Sequence, residues 1–185
     1  GDSGKPFYNS VVATFCYQVT HGQQPEIIKD GNLTLIYINC LVEDIYNLIM
    51  EKQQDYTVRH IKPRAQAKVS QMRSLLNKFR DLYYKTGTVP EIQNDFQRDL
   101  YNTFITYMDE ADWQRNLKLN TDDRGSFVEV FKLEKGGQVS FSTTKPGITR
   151  GNHYHIRKNE KFCVVSGKAS IKLRRIGTDK TADII

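Results

Sequence analysis

Cysteine is scarce in this chain and poorly placed for structural chemistry. Its three copies, Cys16, Cys40 and Cys163, are widely spaced, and no Cys-x-x-Cys pair occurs. That argues against a disulfide framework and against a thiolate zinc site, and it suits a reducing, cytoplasmic compartment. Cys16 and Cys163 sit in apolar runs and are expected to be buried thiols. No apolar run approaches the ~20 residues of a membrane span, so no membrane partner is expected. The opening residues lack the basic-then-apolar pattern of a secretory signal. Charge of one sign is not gathered in one place either. The formal net charge is +6, but the 27 basic residues are scattered, with small clusters at Lys158–Lys161 and Lys172–Arg175. A nucleic-acid binder more often concentrates them on one element, so none is expected as a partner. A phosphate-bearing small substrate suits the surplus equally well. There is no internal repeat and no low-complexity tract.

What is present reads as two different halves. Tyr8 to His21 carries Val12, Phe15, Cys16 and Val19 at helical steps, with Gly22 where a helix would end. Leu33 to Ile38 is almost continuously apolar and β-prone, the pattern of a strand buried on both faces in a parallel sheet. A helix from about Leu41 to Lys52 follows, with Ile45, Leu48 and Ile49 on its inner face. Helix, strand, helix is an α/β order. Lys68-Val69 ends a short strand, and Ser70 is suited to cap the next helix, Ser70 to Tyr84. That helix carries the stripe Met72, Leu75, Leu76, Phe79 and Tyr83, and Gly87 lies just beyond. A further helix covers about Ile92 to Met108, with Ile92, Phe96, Leu100 and Phe104.

After Trp113 the period becomes strand-like and turn signals crowd together. Asp122 to Gly125, Gly136-Gly137 and Pro146-Gly147 read as turns. Phe127–Lys132, Val139–Thr144 and Lys168–Ile176 read as strands. Short strands with Gly/Pro turns predict a β barrel or sandwich. The expected boundary falls near residue 115: an α/β portion over 1–115 and a β portion over 116–185.

One spacing in the β portion carries chemistry: Gly147, five residues, His153, one residue, His155, four residues, Glu160, six residues, Gly167. Two imidazoles and a carboxylate form the facial triad of open-sited transition metals. On a strand, His153 and His155 point to one face. After a polar turn at Arg157-Lys158-Asn159, Glu160 can return its carboxylate from the neighbouring strand. The alternative is two surface histidines in a basic hairpin.

This spacing resembles the first motif of the cupin barrels. DDRGSFVEVF from Asp122, SFSTTKPGITRGNHYH and NEKFCVVSGKASIKLRRI further resemble the cupin domain of one two-domain family. These are the bacterial capsular-polysaccharide synthases that act on a UDP-4-keto-6-deoxy-hexosamine by C3 epimerisation and NADPH-dependent reduction, toward UDP-N-acetyl-L-fucosamine. YNSVVATFCYQV, LTLIYINCLVEDI and DLYNTFITYM resemble the later part of that family's extended short-chain dehydrogenase/reductase domain. The resemblance implies the C-terminal portion of a Rossmann-type reductase domain followed by the first half of a cupin jelly roll. It implies a divalent metal, zinc by preference, on His153, His155 and Glu160. It implies a UDP-sugar substrate, a homodimer in the full-length protein, and NADPH only there.

The departures from the family are specific. There is no Gly-rich dinucleotide loop, and the only Tyr-x-x-x-Lys spacing, Tyr154 to Lys158, falls inside the metal motif on expected β structure. Asn39-Cys40 stands where the family carries an Asp pair. No histidine follows Ile176, where a second cupin motif would supply another ligand. With Gly1 at one end and Ile184-Ile185 at the other, the chain is expected to be the middle of a longer protein.

The same stretch is similar, more distantly, to the dTDP-4-keto-6-deoxy-sugar 3,5-epimerases. That similarity implies substrate contact by Arg150, stabilisation of an enolate by Lys161, and nucleotide contacts by Arg124 and Glu129. It also matches His153 to a catalytic histidine, which conflicts with His153 as a ligand. The complete triad spacing favours the ligand role. Two further readings remain open: a cupin serving only assembly around a structural zinc, and a non-haem iron oxygenase.

Overall fold

Three helices bury one another through apolar residues that recur at helical spacing. The computed structural model describes residues 4–51, 56 and 58–185. Its helices are α1 (Val11–Thr20), α2 (Ile38–Met50), α3 (Val69–Arg80) and α4 (Asp95–Ile105). A π-helical turn, Asp81–Thr86, prolongs α3, and a 3-10 turn spans Glu110–Asp112. The strands are β1 (Asn32–Leu35), β2 (Ala65–Lys68), β3 (Leu119–Asp122), β4 (Gly125–Lys132), β5 (Gln138–Ser142), β6 (Ile171–Arg174) and β7 (Thr181–Ile184). They form small sheets, β1-β2, β3-β4-β5 and β6-β7, with every pairing antiparallel. The chain divides into two compact units, Gly1–Ile148 and Thr149–Ile185.

In the first unit the expected stripes meet. Phe15, Cys16 and Val19 of α1, Met72, Leu76 and Phe79 of α3, and Leu100 and Phe104 of α4 form one buried cluster, which Met108 joins from beyond α4. Tyr101 sets its ring edge-on to Phe79 at 5.0 Å, an arrangement aromatic quadrupoles favour. Side chains cap the starts of α1 and α4: Ser10 Oγ accepts from Ala13 N and Asn94 Oδ1 from Gln97 N. At α3 the cap differs from the sequence reading. The helix begins at Val69, and Ser70 lies in its first turn. Ser70 N and Oγ both donate to the Asp30 carboxylate at 2.8 Å, so an acidic group from another segment satisfies the helix start. Gln71 Oε1 accepts from Lys68 N.

The first strand also differs. β1 ends at Leu35, Ile38 already belongs to α2, and β1 pairs antiparallel with β2 rather than in a parallel sheet. Its residues alternate between exposed and half-buried. The apolar run promised two covered faces, but Ile38 onward follows the helical period of α2 instead. α2 stops at Met50, and Lys52, its expected end, lies outside the described residues.

The β3-β4-β5 sheet is fastened to the helical part. Val89 makes a parallel bridge to Leu133, donating to Lys132 O and accepting from Glu134 N. Glu134 then reaches in two directions: Oε2 accepts from Glu91 N at 2.9 Å, and Oε1 meets Lys78 Nζ of α3 at 2.8 Å. Lys135 pairs with Glu91 on the outside. Arg115 anchors the segment before β3 by donating to the carbonyls of Tyr83, Tyr84 and Lys85 at the end of the π-helical turn. Gly87 ends that turn at φ 63, and a Cβ there would sit 2.7 Å from the Arg115 guanidinium. Secondary structure therefore changes from helix to strand near residue 115, while the two compact units part after Ile148.

Between β4 and β5 a bulge at Glu129/Phe131 shifts the register, so that Val128 opposes Phe141 and Phe131 opposes Val139. The extra residue brings Phe131 to the same face as Val128, Val139 and Phe141.

Candidate metal centre

The second unit carries the spaced histidines, and its backbone departs from the expectation. No residue from Arg150 to Ser170 is in a strand. A strand needs a hydrogen-bonded neighbour, and the nearest pair in this unit, β6 and β7, bond to each other. Gly151 (φ 105) and Asn152 (φ 59) turn the chain just before His153. Both lie in the left-handed region, which Gly and Asn tolerate best. The bend brings the side chains together even without strand alternation.

The ligand atoms of His153, His155 and Glu160 lie within 4.8 Å of one another. The two imidazole rings are 4.8 Å apart, edge to face. His155 Nε2 lies 3.3 Å from Glu160 Oε1, and both side chains are about a third exposed. The Lys158 ammonium holds Glu160 Oε1 at 2.8 Å. That hydrogen bond is the main reason the Glu160 carboxyl is held below the usual range; the Lys158, His155 and His153 charges add to it. These contacts favour the ionised carboxylate, the form that can act as a ligand. Two imidazoles and one carboxylate, converging, suit zinc or another borderline divalent ion. The donor set fits a metal.

Of the other expected site residues, Arg150 is half-buried and Lys161 exposed, both in the same unit as the triad. Arg124 and Glu129 belong to the first unit, Arg124 in the turn between β3 and β4 and Glu129 within β4. Arg124 is already engaged. Its backbone N, Nε and Nη2 all donate to the Asp122 carboxylate, at 2.9, 2.9 and 2.5 Å. This closes the β3-β4 turn and keeps the guanidinium proton held more tightly than usual. Glu129 lies 3.9 Å from Lys132 Nζ. Cys163, expected to be buried, is exposed, because no element of its unit covers residues 161–166. Lys158 was read as part of a polar turn. Its role at the site was discernible only from a cation two positions before an expected ligand.

The chain resembles proteins of known role. Residues 120–185 match the polysaccharide biosynthesis C-terminal domain. A UDP-2-acetamido-2,6-beta-L-arabino-hexul-4-ose reductase of Pseudomonas aeruginosa is 34% identical over 179 residues, which is 96% of this chain and 48% of that protein. The spore coat polysaccharide biosynthesis protein SpsL of Bacillus subtilis is 31% identical over 70 residues, 35% of this chain and 46% of its own length. Among solved structures, the capsular polysaccharide assembling protein CapF of Staphylococcus aureus superposes with a TM-score of 0.82 at 38% identity, over 100% of this chain and 50% of that one. A CapF structure with the inhibitor 3-isopropenyl-tropolone gives the same score and identity. The chain thus spans about half the length of these full-length relatives. By sequence and by fold it is related to proteins of capsular and spore-coat polysaccharide biosynthesis, a UDP-sugar reductase among them.

Proposed function

We propose that this chain is part of a cytoplasmic nucleotide-sugar enzyme of capsular polysaccharide synthesis, and that its second unit carries a divalent-metal centre. In this reading residues 1–115 are the later portion of a reductase domain and 116–185 the first half of a cupin barrel. The observation that carries it is the convergence of His153, His155 and Glu160 inside the segment that matches the polysaccharide domain. A bound ion, zinc by its donor set, would polarise a sugar ketone as a Lewis acid.

The reaction proposed is C3 epimerisation of a UDP-4-keto-6-deoxy-hexosamine. It needs a base to take the carbon-bound proton, an acid to return it on the other face, and positive charge where the enolate oxygen forms. Lys161 and Arg150 supply fixed positive charge in the same unit as the triad, Lys161 toward the enolate and Arg150 toward substrate. Glu129 and Arg124 are proposed nucleotide contacts. Arg124 would have to release Asp122 to serve. Reduction with NADPH belongs to the full-length protein, which is proposed to be a homodimer.

Two measurements test this. In the full-length protein, zinc affinity titrated against a chromophoric chelator is expected to fall at least about tenfold in His155→Ala, since one of few ligands is lost; unchanged affinity overturns the metal assignment. In deuterated buffer the full-length protein, given the UDP-ketosugar and no nicotinamide, is expected to exchange the C3 proton. Lys161→Ala should slow exchange more than it raises KM, because the enolate charge develops only in the transition state. Zinc binding without any exchange would instead favour a barrel used for assembly around a structural ion.

A further inference from the structure

The triad shares its carboxylate with a cation the chain itself provides. Lys158 Nζ lies 2.8 Å from Glu160 Oε1, and His155 Nε2 faces that same oxygen at 3.3 Å. A lysine that merely steadied a metal ligand would hold the outward carboxylate oxygen and leave the inward one for the ion, as outer hydrogen-bond partners of metal ligands do. Here the ammonium occupies the inward one. The lysine side chain is half exposed, so it can withdraw into water without a desolvation cost.

We infer that Lys158 is a built-in competitor for the cation at the His153–His155–Glu160 cluster. It neutralises Glu160 in the metal-free state, and a divalent ion must displace it from Oε1. The inference rests on the metal reading proposed above. Two effects act in one direction. The ion must break an existing ion pair, and until the ammonium swings away it meets like charge at close range. The site therefore loads only at a higher free-metal concentration than its three ligands alone would require. The lysine sets that threshold, with salt weakening it.

The test measures zinc affinity by chelator competition in the full chain, for wild type, Lys158→Met, Lys158→Arg and His155→Ala. Lys158→Met keeps the length of the side chain and removes its charge. It is expected to bind zinc up to about fivefold more tightly, the range set by a partly exposed ion pair. Lys158→Arg, whose planar fork grips a carboxylate more firmly, is expected to bind no better than wild type. Raising salt should narrow the gap between Met and wild type. If Lys158→Met binds more weakly, the lysine positions Glu160 and the inference falls. If the Met variant and wild type bind equally while His155→Ala still loses zinc, the inference falls and the metal reading stands. If wild type binds no zinc, both fall together.

Discussion

The helical core of the first unit and the histidine-bearing second unit contain comparable apolar residues and treat them in opposite ways. Phe104 of α4 is 0% exposed, whereas Phe162 is 64% and Ile156 90% exposed. The difference lies in the cover. α1, α3 and α4 each present a stripe to the other two, so each side chain loses its water to a neighbour. Residues 149–170 have no such neighbour within their unit. α2 makes the same point inside the first unit. It is as apolar along one side as α3, yet none of its residues is buried, and Val42, Ile45 and Ile49 stay exposed. Amphipathic spacing is enough to make a helix, but the hydrophobic term is collected only when another element removes the stripe from water.

The comparison is broken most directly by truncating equivalent aromatics. Phe104→Ala is expected to cost about 3–5 kcal/mol of unfolding free energy, and Phe162→Ala within ~0.5 kcal/mol, read by urea denaturation. Similar losses at both positions would mean that residues 161–166 find cover in solution. The next effect concerns the joint between helices and sheet. Gly87→Ala is expected to cost about 1–2 kcal/mol, since φ 63 is unfavourable for a residue with a Cβ and Arg115 must shift. Faster amide exchange at the end of the π-helical turn would accompany it; a melting temperature equal to wild type would show that Arg115 adapts freely.

Smaller again is Glu134→Gln, at most about 1 kcal/mol, because Lys78 is well exposed and water screens the pair. Its pH dependence has a defined sign. The Lys78 ammonium, then the Glu91 N–H, hold the Glu134 carboxyl below its ordinary value. A depressed folded-state value means the contribution is present above the unfolded-state pKa and disappears as pH falls through the folded one. The wild-type advantage over Glu134→Gln should therefore vanish in acid. A constant difference down to acid would mean that the effect does not come from the charge pair with Lys78. Smallest is Val42→Ser on α2, expected within ~0.5 kcal/mol. A larger loss of melting temperature would mean that α2 is covered after all.

Much of the helical part was legible from side-chain period alone. The stripes Phe15–Val19, Met72–Phe79 and Leu100–Phe104 are the ones that meet. The turns at 123–124, Gly136 and Gly147 fall where glycine adopts positive φ. The His153, His155 and Glu160 spacing was legible too, and those three side chains converge. Their route was not. Strand alternation was the expected means, and a bend at Gly151-Asn152 is the observed one. The Asp30 cap on α3, the Glu134 fastening, the antiparallel partner of β1 and the Lys158–Glu160 pair all join residues through space.

The sequence by itself thus determined which segments are helical, where the chain turns and which three side chains carry the two-histidine, one-carboxylate donor pattern. Each of those is settled by the backbone preferences and donor chemistry of residues a few positions apart. Only the tertiary structure decided which stripes are buried, which sheet is tied to the helices and which cation sits on Glu160. Burial and ion pairing depend on what arrives from elsewhere in the chain, and no local period records the arrival.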